Sequence, residues 1–336
     1  MQTANGTRPR AATIRLVRSA LAAAVLIPAG CAPRYLISSS QQIPDLALPE
    51  IGVTQHVVLV SIDGLRPDAI GAFEARTLQR LVREGSYTFA ATTILPSKTL
   101  PSHTSMLTGE PPDRHRVLWN SAATAATDSI ELPTVFSVAR TRGYRTVAFF
   151  SKSKFHLLQR PGTLDYSQAP GGWFGRWSSD RTVRDIEKYL DTARPNVLFA
   201  HLPDPDHAGH QSSWMSPAYG RAVIAADAAV ARLLSAAERA YGAGTYSVIV
   251  TADHGGHGYD HGSDDPRDVT IPWIAWGRGV KPGQVITASI RTMDTASTVL
   301  WLLGLAEPTD WLGRPIVEAF EAQTAAVART TGSTGF

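Results

Sequence analysis

The chain of 336 residues is 43% hydrophobic and 18% charged, which is enough apolar material for one large α/β domain with a substantial core. Its single cysteine excludes a scaffold built on disulfides. The formal net charge is +3, but residues 1–31 hold four arginines and no acidic residue, so removing that segment leaves a charge of −1. The pI of 9.1 therefore belongs largely to the amino terminus and gives no support for binding a nucleic acid polymer.

Residues 1–31 have the pattern of an export signal peptide. A short apolar run over 21–27, too short for a membrane span, follows the basic residues Arg8, Arg10, Arg15 and Arg18. Small residues then precede Cys31, an order that predicts a bacterial lipobox with Cys31 as the lipidated first residue of the mature protein. Because Pro28 is atypical at its position, cleavage by the ordinary signal peptidase and no cleavage are the alternatives. We expect an exported protein, either periplasmic or anchored to the membrane as a lipoprotein.

The remaining chain divides into three parts by composition. Residues 32–55 are polar and contain prolines, which predicts a linker. Residues 56–320 carry alternating strand and helix patterns and form the expected domain. Residues 321–336 are rich in alanine, threonine, glycine and serine, which predicts a flexible tail.

Six apolar runs predict buried strands, and they alternate with stretches that predict helices. The strands are expected over 57–62, 87–93, 146–150, 196–200, 246–250 and 271–275. The helices are expected over 78–84, 100–107, 132–142, 181–193, 216–241 and 294–303. Because this alternation is typical of parallel sheets, we expect a doubly wound α/β fold, with a mostly parallel central sheet and helices on both faces.

The first strand ends in a carboxylate and a glycine, since Asp63 and Gly64 follow the apolar run 57–62 directly. A later junction carries hydroxyls, and Pro101, two residues after Thr99, is well placed for the first turn of a helix. A Thr99 hydroxyl at a helix start would meet free backbone N–H groups and the positive end of the helix dipole. Both favour its alkoxide and the binding of a phosphoryl oxygen.

Two further strands are each followed by a cluster of histidines and aspartates. The run 196–200 precedes the segment 201–210, and the run 246–250 precedes the segment 251–262. Six of the ten histidines lie in these two segments, which random scatter would rarely produce. Open α/β sheets bind ligands at the carboxyl ends of their strands, and imidazole together with carboxylate suits zinc or a similar divalent ion. The clusters therefore predict a metal site.

The order of these motifs resembles the alkaline phosphatase superfamily. The matching segments are Asp63-Gly64, Lys98 to His103 followed by Leu107-Thr108-Gly109, Asp206 to His210, Asp253-His254-Gly255, and His261. Within the superfamily the chain looks most like the type I phosphodiesterase and nucleotide pyrophosphatase branch. The likeness extends over most of the chain, from about residue 56 to about residue 305.

The resemblance implies a site with two divalent metal ions, expected to be Zn²⁺. One ion would be held by Asp63, Asp253, His254 and the nucleophile Thr99, and the other by Asp206, His210 and His261. Asn120 matches the asparagine that contacts a phosphoryl oxygen in that family. Two positions depart from the pattern of many nucleotide pyrophosphatases: His261 lies only eight residues after Asp253, and position 102 is serine where asparagine is frequent.

The resemblance further implies a phosphodiesterase or nucleotide pyrophosphatase that forms a covalent phosphothreonine on Thr99 and acts on a small phosphoester such as a nucleotide. The main alternative is a phosphomonoesterase, because Lys152 and Lys154 resemble the Lys-x-Arg phosphate clamp of some single-domain alkaline phosphatases. A lysine that neutralises a dianion favours monoesters. A phosphoethanolamine-type transferase and a catalytically inactive surface-binding protein are further alternatives. The lack of a cysteine near the nucleophile position disfavours a sulfatase.

The other histidines near these motifs are expected to support the site without binding metal. His103 would buttress the nucleophile turn, and His201 and His207 would hydrogen-bond to neighbouring ligands. His257 is expected to lie outside the metal site.

Replacing Cys31 by serine tests the lipobox. We expect the wild-type chain to incorporate labelled palmitate in cells and the Cys31→Ser variant to incorporate none, because the chain has no other thiol to acylate. The label is measured on the purified protein after removal of free lipid. Palmitate that persists in Cys31→Ser would exclude this site of lipidation.

Overall fold

An eight-stranded sheet organises the part of the chain that the computed structural model describes, residues 52–322 without 126–129 and 173–174. The predicted signal peptide with Cys31, most of the predicted linker and the tail beyond residue 322 lie outside the described residues. The strands are β1 Val57–Ile62, β2 Ser86–Thr92, β3 Thr146–Phe149, β4 Tyr166–Gln168, β5 Val197–Leu202, β6 Ser247–Thr251, β7 Thr270–Gly277 and β8 Gln284–Val285. Their order across the sheet is β4-β3-β5-β1-β6-β7-β2-β8.

The sheet is mostly parallel, which confirms the predicted fold class. β7 is the exception, since it runs antiparallel to both of its neighbours, β6 and β2. All six predicted strands are present, and no end differs from the prediction by more than two residues. The two strands that the sequence did not indicate, β4 and β8, have three and two residues, too few to produce a readable pattern.

Eleven α-helices are described, and six of them correspond to the predicted ones. They are α1 Pro67–Ala72, α2 Arg76–Glu84, α3 Thr99–Thr108, α4 Pro112–His115, α5 Ala122–Ala125, α6 Val135–Thr141, α7 Ser179–Leu190, α8 Asp204–Ser212, α9 Pro217–Tyr241, α10 Pro266–Val269 and α11 Asp294–Leu302. Two 3₁₀ turns span Ser153–Leu158 and Val317–Ala319. The helix expected from residue 132 begins later because the Thr134 side chain caps it, in a reciprocal pair with Ser137.

The core lies on both faces of the central strands. Every residue of β1, β5 and β6 is buried, which requires cover on each face of the sheet. Three helices, α2, α7 and α8, pack against α9, and a second group of mutually contacting helices contains α3, α6 and α11. Among the described residues, no helix combines the length and the apolar character needed to span a bilayer.

The register of the central strands brings three chain segments to one edge of the sheet. β1 pairs in parallel with both β5 and β6, and Ser61 lies opposite His201 on one side and Thr251 on the other. The carboxyl ends of the three strands therefore lie side by side. The predicted ligands follow these ends within a few residues, so the fold gathers them at one place.

Candidate metal centre

Three buried aspartates form the base of the site. Asp63 follows β1 directly, Asp253 comes two residues after β6, and Asp206 lies in the first turn of α8 after β5. Backbone hydrogen bonds tie the three segments together. The Asp206 N–H donates to the Asp63 carbonyl at 2.9 Å, and the Gly64 N–H donates to Asp253 Oδ1 at 3.1 Å.

Asp206 and His210 lie one turn apart on α8, a helix that is not among the six predicted ones. Asp206 Oδ1 and His210 Nε2 are 3.4 Å apart. Pro205 and the two acidic residues of the first turn are helix-start signals that could have indicated α8. The helical geometry explains the spacing of the motif, because residues four apart share one face.

Three histidines share one hydrogen-bond arrangement that fixes their protonation. In each, Nδ1 lies 2.8–2.9 Å from a backbone carbonyl oxygen, and the pairs are His210 with Tyr259, His254 with Gly255, and His261 with Ser97. A carbonyl oxygen only accepts, so Nδ1 carries the hydrogen and Nε2 of the neutral ring presents a lone pair. This is the orientation in which histidines bind metals.

These Nε2 lone pairs face carboxylate oxygens, which also only accept. His254 Nε2 is 3.2 Å from Asp253 Oδ2 and 3.4 Å from Asp63 Oδ1. His210 and His261 each bring Nε2 to 3.4 Å from Asp206 Oδ1. The three carboxylate oxygens are buried and have no hydrogen-bond partner. Acceptors facing acceptors in a buried site repel one another unless a proton or a cation lies between them. A proton on Asp253 would relieve only its own contact with His254, so the donor set as a whole fits divalent metal ions.

The candidate ligand atoms form groups that share some of their residues. Those of Asp63, Asp253 and His254 lie within 4.8 Å of one another, and so do those of Asp206, His254 and His261. A third group within the same distance joins His210 and His261 to Asp260. His261, whose short spacing from Asp253 departs from the family pattern, stacks on His254 with the ring centroids 3.6 Å apart.

Thr99 lies beside these groups as the first residue of α3. Its side chain is buried, and Oγ1 is 3.4 Å from His254 Nε2. The hydroxyl therefore lies at the positive end of the α3 dipole, as the sequence analysis expected. The predicted supporting role of His103 is confirmed, since its Nδ1 donates to the Thr99 carbonyl at 2.7 Å and its Nε2 is 2.8 Å from Ser61 Oγ.

Asn120 and two lysines border an adjoining cleft. Asn120 Oδ1 accepts from the Leu100 N–H and from Lys154 Nζ, both at 3.0 Å, which leaves its Nδ2 donors for another partner. Lys152 Nζ lies 2.5 Å from Asp63 Oδ2 and 2.6 Å from Asp206 Oδ2. The cleft has a volume of about 620 Å³, and its lining includes Asn120, both lysines, Arg176, His207 and His210.

Burial and mutual charge set the protonation states in the site. Burial acts to raise the pKa of Asp63, but the Lys152 ammonium and the His201 hydrogen bond outweigh it and hold this pKa well below its usual range. Burial and the negative charge of Asp63 raise the pKa of Asp253 well above its usual range. Burial and the neighbouring His261 lower the pKa of His254 to about 3. His254 is therefore neutral near pH 7, as a metal ligand must be.

The remaining predicted supporting histidines have different outcomes. His201 Nε2 lies 2.8 Å from Asp63 Oδ2, which confirms its expected hydrogen bond to a neighbouring ligand. His207 is half-buried and lines the cleft. His257 Nδ1 is 2.7 Å from Asp268 Oδ1, which ties the histidine-rich loop, residues 252–262, to α10.

Trp214 is a residue of the site that the sequence analysis missed. Its Nε1 donates to the Gly64 carbonyl at 3.0 Å, and its ring packs 5.2 Å from His210 and 5.8 Å from His261, centroid to centroid. A side chain at Gly256 would place its Cβ 2.2 Å from the indole, so the two segments meet in direct contact. A single tryptophan before a helix has no sequence pattern that would indicate this packing role.

Comparison with known proteins identifies first the fold and then the family. The fold matches murine ectonucleotide pyrophosphatase/phosphodiesterase 5 in complex with AMP at a TM-score of 0.65 and 15% identity, over 75% of this chain and 96% of that one. It also matches a protein of the alkaline phosphatase superfamily from Vibrio parahaemolyticus at a TM-score of 0.55 and 16% identity, over 82% and 72%. The model of the type I phosphodiesterase / nucleotide pyrophosphatase family matches residues 57–269, and the chain belongs to this family.

Curated relatives are somewhat more similar to this chain in sequence than these two structures are. The catalytic subunit of human GPI ethanolamine phosphate transferase 2 is 25% identical over 78% of this chain and 28% of its own length. A bis(5'-adenosyl)-triphosphatase from Xenopus laevis is 23% identical over 62% of this chain and 48% of its own length. The chain thus spans about a third or less of the length of the ethanolamine phosphate transferases that it matches.

Substituting Gly64 tests whether backbone contact positions Asp206. Gly64 has φ of +71°, and an added Cβ would lie 2.8 Å from Asp206 Cα, so Gly64→Ala must displace this aspartate. We expect zinc affinity, measured by competition with a chelator, to fall about 10–100-fold.

Gly143→Ala is the matched control, because Gly143 has φ of +84° and nothing within 4 Å of an added Cβ. It carries the same kind of backbone strain, about 1–2 kcal/mol, and should keep the wild-type zinc affinity. Equal zinc affinity in the two variants would contradict the positioning role of Gly64.

Proposed function

We propose that this chain is a two-metal phosphodiesterase or nucleotide pyrophosphatase that uses Thr99 as its nucleophile. The observation that carries the proposal is the convergence of unpartnered carboxylate oxygens and imidazole lone pairs beside a hydroxyl at a helix start. Such a donor set has a clear use only when cations bind to it. Membership of the type I phosphodiesterase / nucleotide pyrophosphatase family supports the reaction class.

The proposed ligands form one set for each ion. Asp63, Asp253, His254 and Thr99 would hold the first, and Asp206, His210 and His261 the second. Mixed imidazole and carboxylate ligands favour zinc. When bound, the two cations would lower the pKa of the Thr99 hydroxyl and neutralise negative charge on the phosphoryl group.

The reaction itself is an in-line displacement at phosphorus in two steps. The Thr99 hydroxyl loses its proton, and the bond from Oγ1 to phosphorus forms as the bond to the leaving-group oxygen breaks. The departing oxygen takes up a proton, and a phosphothreonine remains. Water then attacks phosphorus, the bond to Oγ1 breaks, and the Thr99 hydroxyl is restored with release of the phosphate product. Asn120 would donate from Nδ2 to a phosphoryl oxygen, since Leu100 and Lys154 hold its Oδ1.

A small nucleotide-like phosphoester is the proposed substrate. The cleft of about 620 Å³ adjoins the site, and its wall carries the cationic side chains of Lys154 and Arg176. A related bis(5'-adenosyl)-triphosphatase and the similar structure in complex with AMP support this substrate class. We further propose that residues 1–31 export the enzyme, with Cys31 as its lipid anchor.

An ethanolamine phosphate transferase is the second candidate, and the transferases among the curated relatives favour it. The same phosphothreonine would then pass its phosphoryl group to an alcohol in place of water. The two candidates share Thr99 and the metal ligands, so they differ only in which acceptor reaches the intermediate.

Hydrolysis of bis-p-nitrophenyl phosphate and p-nitrophenyl phosphate tests the proposed function. We expect faster turnover of the diester, loss of turnover with a chelator, and recovery with zinc. Thr99→Ala should lower kcat for the diester by at least about 10³-fold, because the covalent step is lost.

Thr108→Ala is the matched control for that variant. It removes a buried hydroxyl from the same helix, where Oγ1 bonds to the Thr104 carbonyl, and should keep near wild-type turnover. Inactivity of the zinc-loaded wild type on both esters, or full activity of Thr99→Ala, would refute the hydrolase proposal. A product ester formed with an added alcohol, in place of hydrolysis, would favour the transferase.

Replacing Lys152 by alanine separates the diesterase from the phosphomonoesterase alternative. Because Lys152 Nζ contacts Asp63 and Asp206, we expect Lys152→Ala to lower turnover of both esters by a similar factor, of about 10–100-fold. A phosphate clamp would instead lower monoester turnover selectively. The measurement is the ratio of kcat/KM for the two esters, and a selective loss of monoester turnover would overturn the diesterase assignment.

A further inference from the structure

We propose that His201 is a positioning residue that fixes the metal-binding orientation of Asp63 and thereby controls the affinity of one of the two metal sites. The inference rests on the proposed function, because it takes Asp63 as a ligand of one metal ion only. His201 is fully buried and does not line the cleft, so it acts through Asp63 and not on the substrate.

The sheet register creates this contact. His201 lies on β5, opposite Ser61 of β1, and Asp63 follows β1 directly. His201 Nε2 is 2.8 Å from Asp63 Oδ2, and both side chains are buried. A carboxylate only accepts, so Nε2 carries a hydrogen and donates it.

The imidazole is itself held on its other side. Ser151, which follows β3, places its Oγ 2.5 Å from His201 Nδ1. The ring packs edge-on against Phe155 and His103, with centroids 4.6 and 4.9 Å away. Because β3, β5 and β1 are neighbours, Ser151, His201 and Asp63 form a row of contacts across three adjacent strands.

The row leaves one oxygen of Asp63 for metal binding. His201 and Lys152 both contact Oδ2, whereas Oδ1 has no hydrogen-bond partner and faces His254 Nε2 at 3.4 Å. Without the His201 donor, the Asp63 carboxylate would be free to rotate. Either of its oxygens would then face Lys152 or the metal, so the metal-binding orientation would no longer be fixed. Asp206 has no contact with His201 among those described, so the ion held by Asp206 should keep its affinity.

Zinc titration of the purified, metal-free full chain tests this asymmetry. With a chromogenic chelator as competitor, the wild type should bind two zinc ions. In His201→Leu one of the two should bind about 10–100-fold more weakly, while the other stays within about 3-fold of wild type. His201→Gln keeps an N–H donor and should recover most of the lost affinity.

His115→Leu is the matched control. His115 is also a buried histidine paired with a serine, at 2.9 Å from Ser105 Oγ, and its Nδ1 accepts from the Val117 N–H at 3.1 Å. None of the described contacts links His115 to a proposed ligand. This variant should lose thermal stability but bind two zinc ions as the wild type does, which separates positioning from general structural damage.

A second variant keeps the test decisive if His201→Leu does not fold. Ser151→Ala removes the partner of Nδ1 and a hydrogen bond to the His201 carbonyl, and it should weaken the same single zinc site by about 3–10-fold. Wild-type zinc affinity in both His201→Leu and Ser151→Ala, or equal weakening of the two zinc sites in His201→Leu, would overturn the inference. If His201→Leu does not fold, wild-type zinc affinity in Ser151→Ala overturns it. A wild-type protein that binds fewer than two zinc ions would instead contradict the proposed function itself.

Discussion

Confinement of acceptor atoms in one buried place is the constraint on which the rest of this structure depends. Three carboxylates and three imidazole lone pairs converge at the edge of the sheet, and three of the carboxylate oxygens have no hydrogen-bond partner. Each buried charge costs several kcal/mol unless opposite charge compensates it. Lys152 offsets part of this cost by contacting Asp63 and Asp206, and cations would offset the rest. A fold that holds such a cluster must be rigid around it.

The rigidity comes from elements that meet behind the ligands. Three parallel strands end side by side, and α8 presents Asp206 and His210 on one face. Gly64 permits close approach of α8 to the end of β1, and Trp214 fills the space under the histidine-rich loop. Each ligand histidine is fixed through Nδ1 by a backbone carbonyl, so its direction depends on the main chain and not on a mobile side chain.

The same arrangement serves hydrolysis and group transfer equally well. Both reactions need a nucleophile at a helix start and compensated charge around the phosphoryl group, and both would pass through the same covalent intermediate. What distinguishes them is the access of water or an alcohol to that intermediate, which depends on the walls of the cleft. Lys154 and Arg176 give the wall positive charge, and the proposed metal ligands Asp206 and His210 also line the cleft.

Features of the fold that depend on local sequence patterns were predictable, and features that depend on contacts between distant residues were not. The six main strands and their helices were readable because apolar periodicity is a local property of the chain. The order of the motifs along the chain led to the seven proposed metal ligands, which stay a prediction. The antiparallel direction of β7 and the short edge strands were not readable, because pairing depends on distant residues. The helical form of α8 was masked by a segment rich in proline, glycine and histidine, although its start signals were present.

The sequence by itself determined which residue types could bind metal and in which order they follow the strands. Only the tertiary structure decided that Lys152 contacts Asp63 and Asp206, that His261 stacks on His254 despite its short spacing, and that Ser151 and His201 form a row behind Asp63. The reason is physical. A motif specifies chemistry, but the direction of a lone pair depends on contacts between residues that are far apart in the chain and adjacent only in the folded sheet.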